Sequence, residues 1–337
     1  MSSASAAGVS QAPAGQDATA ADSTPNATSK PDVVQNGAAT PVGPAASRRA
    51  WDPAWLQAFA GQSNPLPVKF ELVNGEMAEG EVIRIQEQGG QVMFLAGRLT
   101  KPEAGSFFFR KQSMPGVAGS HVGVVQLPGS ERAFRLEPTG ANGAPELLAH
   151  RLDEVVCLRY AMPPAPETGA ASTASDPAEA PVVDVGQHPT IPTPDYQNGI
   201  PVFESLPNAK GVMYLDFDGE STTQWDGRLI VAKRPNFSAA QVKETWRRVS
   251  EDYLPFTVNV TTDLRVYERA AENSRIHVII TPTTDAAPGA GGVAFIGSWN
   301  WTGDTPCWAF GGDPGSAAEQ ISHEVGHTLG LGHDGRP

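Results

Sequence analysis

The sequence predicts an α+β fold in two parts: a small all-β region over residues 49–163, then, from residue 189, strands and helices that end in a terminal helix. Three observations predict it. Short alternating apolar runs, punctuated by Gly, Pro and Asn, fill the first part. Apolar strand-like runs interleave with a helical pattern in the second. Last comes the stretch HEVGHTLGLGHDG at 323–335, which holds three of the chain's seven histidines.

Taken in order, residues 1–48 are Ala, Ser, Pro, Thr, Gly and Asn with hardly an aromatic. Such a leader cannot bury enough surface to offset chain entropy and is expected to be disordered. Trp51, Trp55, Leu56 and Phe59 mark a short helical or anchoring segment. Val68 to Leu72 alternates, Asn74-Gly75 is a turn, and Glu81 to Ile85 follows as a strand. Val92 to Leu95 and Phe107 to Phe109 are further strands. Residues 164–188 return to Ala, Pro, Ser, Thr and acidic residues, which is linker composition.

The second part, 189–337, opens on Gly211 to Phe217, an apolar run that reads as a buried strand. Ser238 to Tyr253 is a helix with a capping box, Ser238 and Gln241, and a staple between Phe237 and Val242. Its buried stripe is Val242, Trp246, Val249 and Tyr253. Phe256 to Val260, Ile276 to Ile280, Gly291 to Trp299 and Cys307 to Phe310 complete the strands. The last helix is expected from Ser316, capped with Glu319, to Leu329, with Ile321, Val325 and Leu329 toward the core.

That helix carries the chemistry. His323 and His327 stand one turn apart on one face and can share a zinc ion. Glu324 follows the first of them, within reach of a metal-bound water as general base. Gly330 accepts the left-handed conformation that ends a helix, so the chain can turn back and deliver His333. Three imidazoles leave one tetrahedral position open, as a catalytic site requires.

HExxHxxGxxH resembles the metzincin zinc endopeptidases. His327 to His333 resembles the matrixins, and Asp334 after the third histidine is similar to the reprolysin branch. The resemblance implies a zincin-like domain with a mixed sheet and an active-site helix. It implies zinc held by His323, His327 and His333, Glu324 as the catalytic acid/base, and a protein or peptide substrate. The substrate would pair with a sheet-edge strand at about Gly292–Ser298, through Gly292, Val293, Ala294 and Phe295. Metzincins carry a methionine turn after the third histidine; this sequence stops at Pro337 and reads as truncated before it. The all-β region, with Phe134-Arg135-Leu136-Glu137-Pro138, loosely resembles a reprolysin prodomain; the alternative is a plain β-sandwich module. Secretion or display at the cell surface is expected of the family, although the first residues show no signal peptide.

Cys157 has three readings. It is the thiol that keeps a metzincin precursor latent, a buried thiol, or half of a disulfide with Cys307. Asp216, Asp218 and Glu220 offer oxygens for calcium and resemble part of an EF-hand loop; the alternative is a strand running into an acidic turn. His277 reads as a core or edge histidine. The net charge of −13 argues against nucleic acid and anionic membrane surfaces. No run approaches the roughly 20 apolar residues of a membrane span. The rival to a zinc endopeptidase is a non-enzymatic binding or adhesion protein with a structural zinc site. Oligomeric state has no signal in the sequence.

Overall fold

The alternating pattern of the first part builds a meander. β1 (Val34–Gln35) and β2 (Arg48–Ala50) precede α1 (Ala54–Gln57), which buries Trp55 and Leu56. β3 (Leu66–Glu71), β4 (Met77–Gln88), β5 (Gln91–Lys101) and β6 (Gly105–Lys111) come next. β7 (His121–Leu127), β8 (Arg132–Glu137) and β9 (Glu146–Arg151) continue it, each strand from β3 onward antiparallel to the next. The expected turn at Asn74-Gly75 joins β3 to β4, with Gly75 at φ +83°. β2 adds antiparallel beside β9, and β1 adds parallel beside β3. In this computed structural model the described residues are 34–35, 48–112, 120–139, 144–157 and 195–333. They belong to a unit spanning Val33–Pro337; Met1–Asp32 is a separate unit outside them. The linker expected at 164–188, Asp334 and nearly all of the leader lie outside the described residues.

Both faces of this sheet are buried along β6 and β7. Leu95, Phe107, Phe109, Val125, Phe134 and Leu136 pack with Trp51, Trp55 and Phe59 on one side. Phe94, Ala96, Phe108, Val122, Val124 and Ala133 face the other way, into a cluster that contains Trp225, Phe295, Trp301 and Trp308. The consecutive phenylalanines of β6 result from this, since a strand covered on both faces has no polar side to show.

The second part is built on a mixed sheet. β12 (Gly211–Asp216), β15 (Val258–Thr261), β16 (Arg275–Ile280) and β18 (Cys307–Ala309) run parallel to their neighbours, and β17 (Gly292–Val293) runs antiparallel at the edge. The order is β15-β12-β16-β18-β17. α2 (Ala239–Asp252) starts with the expected capping box, Gln241 N–H donating to Ser238 Oγ at 3.3 Å and Ser238 N–H to Gln241 Oε1 at 2.9 Å. α4 (Pro314–Thr328) is the histidine helix. Val242 and Val249 of α2 and Ile321 and Val325 of α4 pack with Met213, Leu215, Val260, Val278 and Ile280. Each buried aliphatic chain contributes about 1.5–3 kcal/mol relative to exposure. Tyr253 donates to Ser322 O at 3.0 Å, tying the end of α2 to α4.

The structure corrects several expectations. α4 is capped by Asp313, whose Oδ1 accepts from Gly315 N–H at 2.9 Å and Ser316 N–H at 3.1 Å, and not by Ser316. Pro314 takes the first helical position, where its missing N–H costs nothing. Leu329 is the C-cap and is 38% exposed, so it leaves the core stripe. The strand expected from Gly291 to Trp299 pairs with β18 only at Gly292 and Val293. Among the features that had no expectation are the hairpin of β10 (Tyr196–Gln197) and β11 (Ile200–Pro201), the hairpin of β13 (Glu220–Thr222) and β14 (Ile230–Ala232), and the short helix α3 (Leu264–Arg269). Each is short and takes its order from tertiary contacts more than from periodicity.

Candidate metal centre

α4 sets His323 and His327 on one face. The helix stops at Leu329, and Gly330 takes φ +95°, a conformation that L side chains resist. Leu331 N–H then donates to Gly326 O at 3.1 Å, which closes the reversal and carries His333 back toward the helix. The three Nε2 atoms converge: 3.0 Å between His327 and His323, 3.1 Å between His323 and His333, 3.2 Å between His327 and His333. His327 Nδ1 lies 2.7 Å from Leu331 O. Donation there places the proton on Nδ1 and leaves Nε2 with its lone pair free.

Burial, followed by the neighbouring imidazoles His327 and His333, pushes His323 down to about 4. Burial also lowers His327. His323 and His327 are therefore neutral at physiological pH, which a divalent metal demands of imidazole ligands.

Cys157 completes the group. Its Sγ lies 3.8 Å from His323 Nε2 and 3.7 Å from His333 Nε2. Zinc bonds of about 2.05 Å to nitrogen and 2.3 Å to sulfur, arranged tetrahedrally, set N···N near 3.3 Å and N···S near 3.6 Å. The observed separations match this set closely, and the donors, three nitrogens and one sulfur, are those zinc prefers. These four side chains form a group able to hold one ion. Neither cysteine is in a disulfide and both are buried, which corrects the disulfide reading of Cys157 with Cys307.

The backbone explains how Cys157 arrives. After β9, a 3₁₀ turn at Leu152–Glu154 redirects the chain. Val156 then stands opposite Phe295 in an antiparallel bridge. Cys157 N–H donates to Ala294 O at 3.1 Å, and Ile296 N–H donates to Val155 O at 2.9 Å. The stretch from Ala294 to Ile296, expected to bind a substrate backbone, is thus paired with residues of the same chain. Side chains alternate along the pairing, so Val156 meets Phe295 and Cys157 turns to the opposite face, toward the histidines.

Glu324 lies on α4 beside this group, fully buried. Burial lifts its carboxyl to about 8, opposed by a hydrogen bond with Cys157. Gly292 and Val293 of β17, and Ala294 and Phe295 after it, are all buried.

The acidic turn is placed differently. Asp216 Oδ2 lies 3.1 Å from His277 Nε2, and Asp304 Oδ1 lies 3.1 Å from His277 Nδ1. Tyr267 donates to Asp304 Oδ1 at 2.6 Å. Burial works against a charge on His277, yet Asp304 and Asp216 outweigh it and raise the ring to about 10. His277 is therefore an imidazolium held between two carboxylates. Sequence reasoning left Asp304 and Tyr267 unnamed, because no local spacing links them to His277. Asp216, Glu220 and His277 do stand close enough to surround a cation. Asp218 is not in that group; burial, and then Asp216, raise its carboxyl to about 6.

Residues 228–334 match the family model described as metallo-peptidase family M12B, reprolysin-like. The match spans β14 to the residue after His333 and includes all three histidines. No curated protein and no solved structure matches the chain.

Proposed function

We propose, from the match of residues 228–334 to the reprolysin-like metallopeptidase model, that the chain is a zinc-dependent endopeptidase of the metzincin kind made as a latent precursor. His323, His327 and His333 hold the zinc. The chemistry such an ion supplies is Lewis acidity toward a water molecule and toward the scissile carbonyl. Burial keeps Glu324 largely protonated while Cys157 fills the site. Once water enters in its place, the ionised Glu324 takes a proton from the attacking water and returns it to the leaving amine. Gly292, Val293, Ala294 and Phe295 offer their backbone to an extended peptide, which gives affinity with little sequence selectivity.

The observation that carries this reading is the convergence of three Nε2 atoms within 3.2 Å of one another, with the Cys157 sulfur at 3.7–3.8 Å. It also supports latency. A thiolate at the fourth position excludes water from it, and the residues before Cys157 cover the edge where a substrate would pair. The all-β region is then the prodomain. The family supports a secreted or cell-surface setting and a protein or peptide substrate. Among the described residues no helix is long and apolar enough to cross a membrane. The Asp216 turn is read as half of an ion pair with His277 and carries no calcium role in this proposal.

The test is metal analysis combined with casein cleavage, before and after a thiol-modifying reagent. The expected result is one zinc per chain, little cleavage before modification, cleavage after it, and loss of cleavage with a chelator. Bound zinc with no cleavage under any of these conditions would leave the structural-zinc reading in its place.

A further inference from the structure

Gly292 has a role that its place on the sheet edge does not explain. Its φ is outside the left-handed region, so a side chain would meet no backbone strain there. Space is the reason for glycine. A Cβ built on Gly292 would fall 2.7 Å from Glu324 Cγ and 3.0 Å from Glu324 Oε1. On another side it would fall 2.7 Å from Trp308 O. Carbon atoms in contact prefer about 3.5–4.0 Å, so these approaches are closed to a methyl group.

The surroundings decide which group must give way. β17 is fixed to β18 through the pairing of Gly292 with Ala309 and Val293 with Trp308. Phe310 N–H donates to Gly291 O at 2.9 Å, which pins the chain one residue earlier. Val293 and Ala294 are fully buried. The strand therefore cannot retreat from α4. Nor can α4 retreat, with Ile321 and Val325 fully buried in the core beneath it. Of the two obstacles, Trp308 O is backbone held in β18, and the Glu324 side chain is the one flexible element at the contact.

We propose that Gly292 is a positioning residue: its bare Cα is the seat on which the Glu324 side chain rests, and it holds the carboxylate beside the histidine group. The assignment rests on the reading of Glu324 as general base. A methyl in the seat would press on Glu324 Cγ and Oε1 and drive the side chain out of its present conformer, moving the carboxylate relative to the histidines. A proton-transfer group must lie within hydrogen-bond reach of the proton it takes. A displacement of about 1 Å costs on the order of 100-fold in rate.

The experiment uses the full chain carrying Cys157→Ser as parent, with Gly292→Ala and Gly311→Ala added separately. Gly311→Ala is the control: its Cβ would fall 2.6 Å from Ala317 Cα and N, straining the start of α4 without touching Glu324. Crystal structures of parent and Gly292→Ala give the position of the Glu324 carboxylate directly. The expected displacement is about 1 Å or more, with kcat down about 100-fold, KM within about threefold and zinc content unchanged. Gly311→Ala lowers Tm and keeps kcat within about threefold of the parent. An unmoved carboxylate, a kcat for Gly292→Ala close to the parent's, or equal kcat losses in both variants would overturn the proposal. A parent with no turnover at all refutes the endopeptidase reading instead, and the seat is then judged on the carboxylate displacement alone.

Discussion

Cys157 and Cys307 are both buried thiols, and their neighbours separate them. Burial, then the Glu324 carboxylate, holds the Cys307 thiol well above its usual range, so it stays protonated and inert. Cys157 instead meets two imidazole nitrogens at 3.7–3.8 Å. Cys157→Ser keeps the shape and replaces a strong zinc donor with a weak one. The expected outcome is casein cleavage without prior thiol modification, at unchanged zinc content; a variant as silent as the parent would remove Cys157 from latency. His277 makes a different prediction. Its folded-state value of about 10 lies above the ordinary 6.5, so its pairing stabilises the fold fully below pH 6.5. That stabilisation fades as pH rises from 6.5 through about 10. Asp304 is the larger cause of that raised value, and Asp216 is the partner that is itself fully buried. His277→Gln leaves Asp216 buried without its charge partner and should cost about 3–5 kcal/mol at neutral pH by urea denaturation. The loss should shrink toward pH 10. The histidine trio was legible because its spacing is local. The Asp216–His277–Asp304 arrangement was not, since residues 61 and 27 positions apart meet only after the sheet forms.

Among the elements, α4 shows what spacing alone reveals and where it errs. Its face of histidines comes from the i, i+4 repeat, and its end comes from Gly330. Its start does not come from the capping-box pattern, because Asp313 and Ser316 are both good capping residues three positions apart. Pro314 decides between them. It suits the first helical turn and lacks a donor, so the residue before it becomes the cap. Asp313→Ala should therefore cost about 1 kcal/mol and Ser316→Ala less, both measured by denaturation. The reverse order would restore Ser316 as the cap. The other end bears on the metal. At φ +95°, Gly330→Ala carries a backbone penalty of about 1 kcal/mol or more. Relief of that strain moves the segment holding His333, so zinc affinity should fall while α4 remains helical by circular dichroism. β17 teaches the opposite lesson. An apolar run from Gly291 to Trp299 reads as one strand, yet β18 pairs only with Gly292 and Val293, and residues 155–157 pair with Ala294 to Ile296. Strand partners are a tertiary property, and no local pattern names them.

Across the whole molecule, the all-β region and the histidine-bearing region share a core. Phe108 packs edge-on against Phe295 at 5.1 Å and Trp301 at 5.8 Å between ring centroids. Arg110 donates to Thr302 O at 3.0 Å and Gln224 Oε1 at 2.8 Å, and Thr302 N–H donates to Gln112 Oε1 at 2.7 Å. The run Phe107-Phe108-Phe109 read only as a strand; that both of its faces are covered, and by what, was beyond the sequence. This shared core bears on activation. A cut within 164–188 breaks the chain but removes none of these contacts, and aromatic burial of this kind is worth several kcal/mol per residue. Cys157, on the far side of such a cut from the histidines, stays in place as long as the two sheets stay packed. Limited proteolysis in that stretch should yield two fragments that elute together on size exclusion and remain inactive toward casein. Adding Phe108→Ala should lower the affinity of the fragments for each other by about 3–5 kcal/mol and release activity after the same cut. Fragments that separate and turn over casein on cleavage alone would show that the covalent link, and not the packed face, maintains latency.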